Sequence, residues 1–150
     1  MNNQPAKPDT GRKQIWFWLA AGGGLAWNVF GAVQFLSTTG KTVEGLVGGG
    51  MTPAQAALYG GLPDWMNIAF AVGVFGGVLG CVLLLLRRKA AVPVFAVSLA
   101  AYVVLYIGDI TLGVFEAFGT PQVVILSGVV LIAGALLWFA LRLRAAAGLR

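Results

Sequence analysis

Ser98, Tyr102, Tyr106, Asp109 and Glu116 follow one another at intervals of four, four, three and seven residues, which places all five on one side of a helix. A line of hydroxyls and carboxylates in an otherwise apolar stretch is the feature of this chain best suited to bind something, because an acid there can take a proton, hold a cation or fix a small polar ligand. Asp109 is the candidate titrating or binding group, with Asn28 and Tyr106 as hydrogen-bond partners and Tyr102 and Glu116 alongside. The competing reading makes Asp109 and Glu116 ordinary interfacial acids and Asn28 a hydrogen-bonding link between two helices. At about 1.5 Å per residue from Ala91, Asp109 lies roughly 27 Å along its helix. That is near the membrane boundary, where a charge costs far less than the roughly 2.5–3.5 kcal/mol it costs at mid-bilayer.

Other chemistries lack their residues. With no histidine, one cysteine and five carboxylates, the chain has no imidazole for acid–base, haem or zinc chemistry, and Cys81 sits among leucines, where a thiol is inert. Gly22–Gly24 and Gly48–Gly50 are not followed by the Lys-Ser/Thr of a phosphate loop. The sequence therefore reads as a non-enzymatic protein with no cofactor and no metal.

The elements that position these groups follow from composition. Of 150 residues, 59% are apolar and 10% charged, with a mean hydropathy of +0.86, whereas a soluble domain carries roughly a quarter charged residues. A hydrocarbon core about 30 Å thick takes about 20 apolar residues of helix, and the chain has four such runs, at about 15–36, 65–86, 91–113 and 121–141. They define an all-α polytopic membrane protein, a four-helix transmembrane bundle over 14–144. It is flanked by a disordered tail at 1–13 and a short tail at 145–150. Pro93 falls in the first turn of the third run, and Thr120-Pro121 reads as a cap and first position of the fourth. The first run exceeds the roughly 7–15 apolar residues of a signal peptide and lacks a small-x-small site before Lys41, so it reads as a signal anchor.

Basic residues stay on the cytoplasmic side. With both termini inside, nine of the ten are cytoplasmic and only Lys41 is outside, while Glu44, Asp64, Asp109 and Glu116 all lie at or beyond the outer half. The net charge of +5 is then a topology signal and an attraction to anionic lipid, not a nucleic-acid surface. Trp16, Trp18 and Trp138 are expected to anchor the inner interface and Trp65 the outer one.

The outer loop, 37–63, is glycine-rich, and Thr52-Pro53 and Gly60-Gly61 bound a short helix at 53–59. That helix either lies on the membrane surface or caps the bundle, or else the loop is a flexible connector. In the second span Gly73, Gly76, Gly77 and Gly80 form one smooth face. Four such residues, each costing about 1 kcal/mol against alanine, imply close helix contact, with another span of the same chain or with a partner subunit. Gly22, Gly23, Gly24 and Gly31 on the first span, and Ser127, Gly128, Gly134 and Ala135 on the fourth, offer matching surfaces.

Trp27-Asn28 with Gly31, Pro63-x-Trp65, Ala69-Phe70-Ala71-x-x-Val74-Phe75-Gly76-Gly77-x-x-Gly80, Leu83–Leu86 with Arg87, and Phe95 with Ser98 resemble a group of small four-span bacterial inner-membrane proteins. These often carry the automatic label "hypothetical" or "sugar transporter". The resemblance covers roughly residues 14–100 and implies the four-span fold and a bacterial inner membrane, with no established activity. The transport label gains nothing from this chain, which has no inverted repeat, no broken helix pair and no midplane charge.

Two functions follow as expectations. The first is a structural or accessory subunit whose partners are membrane lipids and other transmembrane helices, packed through Gly73, Gly76, Gly77 and Gly80 in a homo-oligomer or larger complex. The second is a small-solute or ion-coupled transporter working through Asp109. A third, weaker expectation gives the outer loop a periplasmic or lipid partner.

Overall fold

The computed structural model describes residues 10–150 and is helical throughout its ordered elements. In chain order these are α1 (Thr10–Thr38), α2 (Val43–Gly48), α3 (Pro53–Gly60), α4 (Asp64–Leu85), α5 (Ala91–Thr111), α6 (Val114–Phe118) and α7 (Thr120–Ala145). α1, α4, α5 and α7 are the four helices long and apolar enough to cross a membrane. The chain is a small, multi-pass, all-helical integral membrane protein.

Three boundaries differ from expectation. α1 begins at Thr10, so residues 10–13, expected in a disordered tail, are helical; beyond Pro8 every residue tolerates helix, and extending a formed helix adds one hydrogen bond per residue. Residues 1–9 of that expected tail lie outside the described residues. α5 stops at Thr111 because Gly113 takes a left-handed conformation (φ 75°) and turns the chain into α6. Glu116 therefore sits on α6, exposed, and off the α5 face assigned to it. The cap of α7 is Gly119 (φ 72°), with Thr120 already the first helical residue and making no side-chain cap.

The short helices between α1 and α4 are built by local capping. At α3 the Gln55 N–H donates to Thr52 Oγ1 (3.2 Å) and the Thr52 N–H to Gln55 Oε1 (3.0 Å), a reciprocal pair beside Pro53. α2 was not expected; Thr42 caps it by accepting from the Gly45 N–H (3.2 Å). Hydrogen bonds from its own backbone N–H and from Thr42 hold the Glu44 carboxyl below its ordinary range.

α4 packs against α1 on one side and α5 on the other, and α7 lies against α5. The glycine stripe explains the closeness of the first two contacts. A Cβ on Gly73 would stand 2.6 Å from the Tyr102 ring, one on Gly80 2.6 Å from the Phe95 ring, and one on Gly76 3.2 Å from Ser98 Cβ. A Cβ on Gly77 would run into the side chain of Asn28. Of the two expected contacts the structure shows the one within the chain: α5 and α1 fill the stripe. Gly24 and Gly31 likewise meet Leu136 and Val74, while Gly22, Gly23, Gly128 and Gly134 have no atom within 4 Å of an added Cβ and face outward.

Two apolar clusters result. One, around Phe17, Leu84, Phe95, Leu136 and Leu149, lies at the end carrying Arg87–Lys89, Arg142 and Arg144. Here Arg87 covers the Phe17 ring at 4.6 Å and Arg142 the Trp138 ring at 5.1 Å. The last residues are tied down: the Arg150 N–H donates to the Arg87 carbonyl (2.6 Å), the Lys89 N–H donates to the Arg150 carbonyl (2.8 Å), and Leu149 is buried. The second cluster, around Phe35, Met66, Val74, Tyr102 and Leu126, lies toward the opposite end. Trp16, Trp18, Trp65 and Trp138 are all exposed on the outside of the bundle.

Candidate functional site

Next to the second cluster the bundle encloses a cavity of about 320 Å³. The line of polar residues on α5 contributes only two of its members to it, Tyr102 and Asp109. Tyr106 is turned away by the helical pitch: at 100° per residue, steps of four advance each side chain by about 40°, so Tyr106 lies about 80° round from Ser98 while Asp109 swings back between Ser98 and Tyr102; Ser98 shares that face but lies roughly 16 Å along the helix from Asp109. Ser98 turns to α4 and donates its hydroxyl to the Gly73 carbonyl (2.6 Å). Tyr106 turns to the outer seam with α7, where its hydroxyl pairs with Ser127 Oγ (3.1 Å) and its ring meets Phe115 edge-on.

Asn28 follows the competing reading, a link between two helices, and not the one that made it a partner of Asp109. It donates to the Gly24 carbonyl (2.8 Å), lies 3.9 Å from Cys81 Sγ and presses on Gly77, so it is a link between α1 and α4 outside the cavity. Neither Asn28 nor Tyr106 partners Asp109. That role falls to Gln122, whose Nε2 donates to Asp109 Oδ2 (3.0 Å). Gln122 was legible as the polar side chain in the first turn of the fourth span, but spacing along a single helix cannot pair residues of two helices.

Asp109 is only 3% exposed, yet it lines the cavity, and Gln122 bonds its Oδ2. Its partner is neutral, and among the described residues the one basic side chain away from the far end is Lys41, in the exposed turn before α2. Gln34 on α1 and Asn67 on α4 add amide groups, and Trp27, Phe70 and Val74 supply apolar wall.

The opening of the cavity can be read from exposure. Its lining residues on α3, α4, α5 and α6 are buried or half-buried; the exposed ones are Trp27, Phe30 (59%) and Gln34 on α1 and Ile125 (58%) on α7. α1 and α7 meet at the basic end, where Leu136 packs over Gly24 and the Phe17 and Phe139 rings lie 6.4 Å apart. Toward Asp109 the cavity separates them. Across the end away from the arginines α3 and α6 form a roof, joined by Gln55 Nε2 donating to the Ala117 carbonyl (3.1 Å) and by the Tyr59 and Phe118 rings 6.3 Å apart. The exposed part of the lining thus lies on α1 and α7, two helices long and apolar enough to cross a membrane.

A scan against protein-family models, a search of curated proteins and a search of solved structures each returned no match to this chain.

Proposed function

We propose that this protein is a non-enzymatic, membrane-embedded binding protein that takes a small amphiphilic molecule from the surrounding leaflet, holds its polar end at Asp109 and Gln122, and so serves in its sequestration or transfer. The observation that carries this reading is a cavity whose exposed lining, Phe30 and Ile125 among it, lies on α1 and α7 and whose wall holds the buried Asp109 carboxyl. A site for a water-borne solute would open to water; this one is roofed by α3 and α6 and opens through Phe30 and Ile125 onto the lipid-facing surface. Its volume, about 320 Å³, falls within the range of small-molecule sites.

The orientation that goes with it puts the Arg/Lys-rich end in the cytoplasm and the cavity in the outer leaflet, by the positive-inside rule. The resemblance to small four-span bacterial proteins would make that membrane the bacterial inner membrane. The accessory-subunit reading moves to a different surface, since Gly128 and Gly134 on α7 face outward beside the exposed Leu131.

The test is to purify the chain in mild detergent and identify small molecules in its solvent extract by mass spectrometry, alongside a Val129→Trp variant that fills the cavity. One amphiphile per chain, lost from the variant, is the expected result. Equal amounts from both proteins would refute the reading, and stoichiometric foreign subunits in the native preparation would favour the accessory one.

A further inference from the structure

The geometry points to an amphiphile with a cationic head, a protonated long-chain amine or its equivalent, seated with its ammonium at Asp109 and its alkyl chain leaving between Phe30 and Ile125. This rests on the binding reading above and adds the charge of the ligand.

The Asp109 side chain is almost wholly removed from solvent, its hydrogen-bond partner is the neutral Gln122 amide, and the residue lines the cavity. A carboxylate in such a place needs a donor, and a charged donor satisfies it best, since hydrogen bonds between ionised groups are the stronger kind. Lys41 lies in an exposed turn, and the other described cations are gathered at the opposite end of the bundle. The cavity thus holds an acidic group and no built-in counter-charge.

The remaining lining fits the same ligand. An ammonium has three N–H donors and no acceptor; Gln34 and Asn67 offer amide oxygens as further acceptors in the cavity wall. Trp27, Phe70 and Tyr102 line the same space, and aromatic faces favour cations. An anionic head would meet the acidic group with no cation to screen it, and a purely apolar guest would offer the carboxyl no donor. The alkyl chain needs no pocket, because the mouth opens through Phe30 and Ile125, exposed side chains on membrane-facing helices.

The experiment titrates the nitrogen-labelled chain in zwitterionic lipid nanodiscs with dodecylamine, dodecanol and sodium dodecanoate, following the Trp27 indole N–H and the Gln122 side-chain amide by NMR. The three probes share a chain length and differ in head charge, the amine being protonated at neutral pH. Dodecylamine is expected to saturate both signals about tenfold or more tightly than dodecanol, with dodecanoate weakest. Asp109→Asn is expected to bring the amine down to the level of the alcohol. Equal affinities for amine and alcohol in the native chain, or tighter binding of dodecanoate, would overturn the cationic assignment and leave the binding cavity standing. A native chain that responds saturably to none of the three would overturn both. Because the ratio is measured in the native chain, it decides the matter even where Asp109→Asn loses stability.

Discussion

Replacing Gly80 by alanine adds one methyl group where none fits. The new carbon would stand 2.6 Å from two atoms of the Phe95 ring and 3.1 Å from a third, against about 3.5–4.0 Å for unstrained carbon contact. Phe95 is 1% exposed within the Phe17–Leu84–Leu136 cluster, so its ring has little room to swing away. Overpacking of this kind costs about 1–3 kcal/mol. Alanine also gains about 1 kcal/mol of helix propensity over glycine, so the net loss is reduced. Gly128→Ala on α7 is the matched control: its Cβ meets nothing within 4 Å, and it receives the propensity gain without the clash. The shared gain cancels in the comparison, and the two variants should differ by the packing cost alone, about 1–3 kcal/mol. The assay is reversible unfolding in mixed micelles followed by tryptophan fluorescence, with oligomeric state measured in parallel. Equal stabilities would refute the account of the glycine stripe, and so would a Gly80→Ala chain that keeps its stability and loses only self-association.

Gln122→Leu removes the donor to Asp109 Oδ2 and should cost about 1–3 kcal/mol in the same unfolding assay, whereas Asp109→Asn, which keeps an acceptor there, should cost less. Ser98→Ala deletes the 2.6 Å bond to the Gly73 carbonyl and should destabilise the chain by about 0.5–1.5 kcal/mol, measured likewise, the net worth of one hydrogen bond. Deleting Leu149 and Arg150 uncovers the Phe17 cluster and breaks two backbone bonds to the α4–α5 turn, for a loss of about 1.5–3 kcal/mol from the leucine alone. Cys81, fully buried, should resist maleimide in the folded chain and react on unfolding, read as a mass increase.

The spans were legible because length and the absence of charge are properties of each segment by itself: α4, α5 and α7 start within a residue of where the apolar runs do. The capped helix at Pro53–Gly60 was legible for the same reason, its Thr52-Pro53 and Gly60-Gly61 signals being local. What could not be read was which element faces which. Small residues on three spans made several pairings equally good, and only the fold shows that Tyr102, Phe95 and Asn28 fill the stripe. Glu116 was misplaced because a glycine at position 113 permits a left-handed turn without announcing one. Asp109 stood out in the sequence by its type and position, but Gln122 and the exposed Trp27, Phe30 and Ile125 that line the same cavity belong to other helices, whose pairing no single segment reveals.

The most direct test of the lateral cavity is photo-crosslinking in a bilayer with a diazirine-bearing long-chain amine, with adducts mapped by peptide mass spectrometry. Adducts concentrated at Trp27–Gln34 and Gln122–Val129, and displaced by excess unlabelled dodecylamine, are the predicted result. Adducts spread evenly over the membrane-facing surfaces of α4 and α5, around Leu79 and Val103 as much as around Phe30 and Ile125, would contradict it.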